Sequence, residues 1–220
     1  MAAQDQASDQ WRNLLSADPE QASRAADTLY GSISAAQRTA QTFLDDAAGK
    51  KVIASVEAGH RTAAAILLLG YVTGADTVLT RVIRDHGDER GKLHSWSRPV
   101  PLRVAATAAL SRLGDAKARR SLLEGIDGYD SPTRVFLLDI LPSIDAPEVW
   151  HALSTYLDDA HEIPEDVPSG ADQRRMCDHA VDAFLDRFNF PVSFGRKPGG
   201  RYDSKEVGEA RRALRQFAPQ

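Results

Sequence analysis

The chain has 220 residues, 42% of them hydrophobic and 26% charged, with a formal net charge of −4. That is enough apolar material for a real core, and the acidic balance argues against a nucleic-acid binder, which carries a basic footprint. A single cysteine, Cys177, excludes an intramolecular disulfide and a cysteine-rich zinc site.

Residues 1–9 are polar and are expected to be disordered. No basic region followed by an apolar run stands at the start, and the longest apolar segment, AAAILLLGYV (63–72), is too short to span a bilayer. The expectation is a soluble, cytoplasmic protein without a membrane segment.

From there helix signals follow one another. Asp18-Pro19-Glu20-Gln21 reads as an N-cap, a first-turn proline and a capping-box partner. Behind it Ala22, Ala25, Ala26 and Leu29 form a stripe. A second helix is predicted over 35–48, with Ala36, Ala40, Phe43, Leu44 and Ala47 on one face. The segment 51–72 ends in a buried helix, and 75–87 gathers Val78, Leu79, Val82 and Ile83. Gly, Ser and Pro make 88–101 a loop.

The stretch 101–127, PLRVAATAALSRLGDAKARRSLLEGID, then holds two short helices parted by Gly114 as a left-handed cap. Ser131-Pro132 opens another helix, and Asp145-Ala146-Pro147-Glu148 reads as a capping box for 149–159, where Val149, Leu153, Tyr156 and Leu157 make the stripe. An acidic loop (159–172), a helix over 172–188, a loop (189–203) and a last helix capped by Asp203 and Glu206 complete the chain.

Three segments line up: 60–76, 102–116 and 133–147. Each has an arginine at its second place (Arg61, Arg103, Arg134) followed seven residues later by a leucine (Leu68, Leu110, Leu141). The arginines lie 42 and 31 residues apart, the longer gap containing the 88–101 loop. MCDHAVDAFLDRF (176–188) is a looser fourth copy. Helix pairs recurring at that interval are the pattern of an α-solenoid, in which each pair buries its faces only against its neighbours.

LRVAATAALSRLGDAKARRSLLEGID resembles the bacterial HEAT-like repeat unit: an arginine, an alanine-rich first helix, Leu-Gly-Asp and a second helix. The resemblance covers about 60–160 and departs from the pattern at Ile144-Asp145 and Pro142. It implies an all-α solenoid of about four to five hairpins, a single domain over 10–217 with capping helices at both ends. The second helices (75–87, 117–127, 148–158) would line a concave face. Such modules hold proteins, and some small acidic members are immunity partners that occlude a toxin's active site. Others are DNA glycosylases, bilin lyases or regulatory scaffolds.

Motifs for catalysis are missing from the sequence: no P-loop, Rossmann fingerprint, H-E-x-x-H or G-x-S-x-G occurs. The expectation is a non-enzymatic module without cofactor or metal, a monomer alone or a 1:1 heterodimer with another protein such as a basic toxin domain. His86-Gly87-Asp88-Glu89, followed by His94, reads as a polar turn at a helix end, and the arginine ladder as ties to carboxylates such as Asp115 or Asp145. FGRKPGGR (194–201) reads as a mobile connector, and Asp178 and Asp182, beside His179, as a solvated, salt-bridged helix face. Trp11 is expected to seal the N-terminal cap.

Partner contacts are assigned to Arg81, Arg84, Arg119, Arg120 and Glu124, to Trp96 in the 88–101 loop, and to Trp150, His151, Asp158, Asp159 and Glu162. Trp150 falls outside the stripe of its helix, which suits either a contact hot spot or a residue packed under a loop. The acidic run 158–166 would steer a basic partner.

Overall fold

Local capping chemistry sets most helix boundaries in the computed structural model, which describes residues 9–36, 43–93, 99–144, 146–163, 173–187, 192–197 and 199–217. These residues are mostly helical, with one pair of two-residue strands. The chain divides into two units, Met1–Glu124 and Gly125–Gln220. Trp96, His94, Asp145, Glu165, Asp166 and residues 1–8 of the N-terminal segment lie outside the described residues.

In the first unit a helical turn over 9–13 precedes α1 (Pro19–Ala36). The Asp18 carboxylate accepts from the Glu20 N–H at 3.0 Å. Ala22, Ala25, Ala26 and Leu29 are buried, as their spacing predicts. The helix expected over 35–48 is not continuous: α1 runs to Ala36, residues 43–45 are not helical, and α2 (Asp46–Glu57) starts afresh. The cause is Asp45, whose carboxylate accepts from the Ala48 N–H at 2.8 Å and makes a new N-cap inside the apolar run.

Thr62 caps α3 (Ala63–Leu69), and all seven residues of that helix are buried. A helix apolar on every side must be central, and α3 packs against α1, α2 and the later α5. Next come α4 (Asp76–His86), α5 (Leu102–Arg112) and α6 (Ala116–Gly125), with α5 packed on α4 as well as α3. Gly114 has φ +98°, the left-handed cap read from the sequence.

The segment between α4 and α5 holds more order at its base than a plain loop. Arg90–Gly91 (β1) pairs antiparallel with Val100–Pro101 (β2). The Lys92 carbonyl accepts from the Ala63 N–H at 3.2 Å. A Cβ on Gly91 would stand 2.8 Å from the Ala63 nitrogen and 2.5 Å from Leu102 Cδ2, so only glycine lets this turn lie against the start of α3.

In the second unit Asp130 caps α7 (Ser131–Ile140), and Pro142 shapes the 3₁₀ turn Leu141–Ser143 that ends it. Then follow α8 (Pro147–Tyr156), α9 (Met176–Arg187) and α10 (Ser204–Phe217). The N-cap of α8 is Ala146, in extended conformation and with no side-chain cap bond, rather than a polar cap. For α10 the expected box is present: Asp203 Oδ1 accepts from the Glu206 N–H and Glu206 Oε2 from the Asp203 N–H, both at 2.8 Å. α9 packs against α7, α8 and α10, and every residue from Met176 to Phe184 is buried. That run contains two aspartates and a histidine, which need partners.

Candidate functional site

Burial separates the helices of each unit into two kinds. In α5 eight of eleven residues are buried, whereas α4 buries only Val78, Leu79 and Val82, and α6 only Ala118 and Leu122. In the second unit α7 is mostly buried and α8 half so. The segments read as second helices are therefore the ones that keep a polar face in solvent.

On those faces the residues assigned to partner contacts have distinct surroundings. Arg81 is exposed and pairs with Glu57 at 3.1 Å. Arg84 grips its neighbour Asp85 through two bonds of 2.6 and 2.7 Å. Arg120 and Glu124 are exposed and Arg119 is half-buried. In the second unit His151 is exposed. Asp159 accepts from the His161 N–H at 2.8 Å, Asp158 from Arg211, and Glu162 from Arg201.

Trp150 is placed differently from the surface role weighed for it. It is 9% exposed and lies stacked on Phe184 of α9, with ring centroids 6.3 Å apart. Its apparent position off the stripe reflects a second neighbour: α8 packs on α9 as well as on the turn after α7, so its buried face is wider than four residues.

The arginine ladder is not tied to Asp115, which instead caps α6 through the Lys117 and Ala118 N–H groups at 2.9 Å. Arg103 bonds to Asp88, in the polar turn after α4, where His86 Nδ1 also meets Glu89 at 2.7 Å. Arg134 donates to Ser131 Oγ at 3.3 Å, and Asp145 lies outside the described residues.

The densest polar constellation is in the second unit, where the aspartates expected on a solvated face are buried. Asp182 Oδ2 accepts from Arg174 at 2.6 Å and its Oδ1 from the Tyr202 hydroxyl at 2.6 Å, with Arg196 3.6 Å away. Asp178 is wholly buried; it accepts from the Arg175 guanidinium and backbone N–H and from the Tyr202 N–H at 2.9 Å. Burial alone would raise the Asp178 pKa, but Arg175 and the two backbone donors outweigh it and hold the carboxyl below the ordinary range. Burial raises the Tyr202 phenol, and its bond to Asp182 adds to the effect.

These contacts pin 192–197 and 199–203, within the loop predicted over 189–203, as a strap across α9. Arg174 donates to the Gly200 carbonyl at 3.2 Å, Lys197 pairs with Glu206 at 2.6 Å, and the Glu209 carboxylate holds Ser193. The sequence signal for this lies in Arg175, three residues before Asp178, and in the three cationic side chains of FGRKPGGR, Arg196, Lys197 and Arg201, just before Tyr202. Each buried carboxylate is neutralised by arginine, which makes this a structural clasp; nothing in it frees a carboxylate for acid–base work. Among the described residues no group of three His, Cys, Asp or Glu converges to hold a metal.

His179, 6% exposed, lies within the same helix. Burial first and the Arg174 charge second, against the pull of Asp178, drive its pKa from 6.5 down to about 3. The unfolded chain thus takes up a proton that the folded chain refuses. The stability is full above pH 6.5 and falls as pH drops toward 3. Urea unfolding of the second unit is expected to lose about 2 kcal/mol between pH 7 and about pH 5. The His179→Gln variant should lack that loss, and an identical pH profile in both proteins would contradict the assignment.

No family model, curated protein or solved structure matches this chain. Its class is that of a mostly helical protein, and no described helix is long and apolar enough to cross a membrane.

Proposed function

We propose that the chain is a non-enzymatic protein-binding module of HEAT-like hairpins, and that its partner is a basic protein domain, of the kind a toxin presents, silenced by being covered. The observation that carries this is the division of labour between helices. First helices are engulfed, while the second helices α4, α6 and α8 keep polar, ionisable faces in water.

Two further features support it. Within each unit the same packing recurs: first helix on first helix (α3 with α5, α7 with α9), and second helix on the following first helix (α4 with α5, α8 with α9). Tandem hairpins stack in this way. Charge is also segregated. Residues 125–172 carry eleven carboxylates against Arg134 alone, a field that steers basic partners and repels nucleic acid.

The test is quantitative capture from host extract. The wild-type chain is expected to retain one basic protein at a 1:1 ratio, and the Glu148→Lys/Asp159→Lys variant to bind it more than about tenfold more weakly, with the loss growing at low salt. Equal capture by both proteins, or retention of duplex DNA by the wild type in a low-salt gel shift, would sink the reading.

A further inference from the structure

Two of the carboxylates expected to receive a basic partner already have arginines on them. Asp158, just past α8, accepts from Arg211 of α10, and the same guanidinium donates to the Leu157 carbonyl at 3.4 Å. Four residues on, Glu162 accepts from Arg201 at the end of the strap, whose Nε also donates to the Gln173 carbonyl. Each cation thus grips one carboxylate and one backbone carbonyl. This two-point hold orients a guanidinium better than a lone surface pair does.

Neither arginine is on a loose segment. Arg201 precedes Tyr202, whose N–H and hydroxyl are bonded to Asp178 and Asp182, and α10 starts directly after in its own capping box. The buried clasp therefore delivers both cations to the 158–162 rim. Charge composition fits this arrangement: residues 173–220 carry ten Lys and Arg against six carboxylates, the reverse of the acidic segment before them.

We propose that the strap and α10 form an intramolecular cover over the acidic rim, so that a basic partner binds by displacing Arg201 and Arg211 and placing its own cations on Asp158 and Glu162. This rests on the reading of a basic partner given above. The pairs suit exchange: the Asp158 and Glu162 side chains are 69% and 56% exposed, and those of Arg211 and Arg201 are 36% and 30% exposed. Such pairs are individually weak, so a well-placed partner replaces them while stray cations compete poorly. A cover of this kind raises specificity by penalising every partner equally and rewarding only the one that satisfies both carboxylates.

A fluorescent octalysine peptide, followed by anisotropy at low ionic strength, tests the cover without a known partner. Arg201→Gln/Arg211→Gln keeps the side-chain stems. Arg212→Gln/Arg215→Gln removes the same charge from α10 without touching Asp158 or Glu162. The first double variant is expected to bind the peptide about fivefold tighter than the second. Adding Asp158→Asn/Glu162→Gln should abolish that advantage. Circular dichroism checks that each variant keeps its helices. Equal affinities in the two arginine variants would overturn the cover, even where the carboxylate changes still weaken binding. If the carboxylate changes have no effect in any background, the basic-partner reading of this rim falls as well.

Discussion

Asp182→Ala is expected to cost the second unit about 3–5 kcal/mol of stability. Asp182 has a side chain only 4% exposed, and its strongest partner, Arg174, is 9% exposed. Removing the carboxylate leaves a buried guanidinium with the Gly200 carbonyl but no counter-charge, and leaves the Tyr202 hydroxyl without its acceptor. The penalty is the uncompensated charge, not the value of the pair itself. The double variant Asp182→Ala/Arg174→Met should therefore recover much of the loss, because it removes the stranded cation and keeps its volume. Trp150 is the single tryptophan of residues 125–220, so in a Trp11→Phe/Trp96→Phe background its fluorescence reports urea unfolding of this unit. A single variant within about 1 kcal/mol of wild type, or a double variant no better than the single, would show that water reaches the site and screens the pair.

Trp150→Ala is expected to cost a comparable amount, about 3–5 kcal/mol, because it removes an indole that fills the space between α8 and α9 against Phe184. Circular dichroism at increasing urea measures it. His151, one residue on and exposed, is the control: His151→Ala should stay within about 0.5 kcal/mol of wild type. If instead Trp150→Ala unfolds like wild type and fails only in partner capture, the indole is a contact residue and its place in the core is wrong.

The contrast between Trp150 and its helix neighbours shows where reading the chain alone stops. Periodicity finds the side of α8 that Val149, Leu153 and Tyr156 bury, because those residues repeat at the helical spacing. It contains no term for a second packing neighbour, and α9 is such a neighbour. The same gap hides Asp178 and Asp182. Two aspartates four residues apart look like a wet face, since carboxylates are rarely buried unless paired. Their partners Arg174 and Arg175 are near in sequence, but Tyr202 lies 20 or more residues away. Only chain reversal through the strap brings it close.

Short-range chemistry was legible. The α10 capping box, the left-handed Gly114 and the all-apolar α3 follow from residues within a few positions of one another. The Asp45 cap that splits 35–48 is local too, yet the apolar pattern hides it, because a hydrogen bond to one N–H outweighs a weak apolar stripe. Sequence by itself therefore determined helical class, most helix starts and stops, and the burial of the all-apolar α3, all consequences of interactions within one or two turns. The burial of Trp150, the aspartate clasp and the arginines lying over Asp158 and Glu162 were decided by the folded chain, since charge and apolar surface are satisfied by whatever is near in space, and nearness over tens of residues is not written in local pattern.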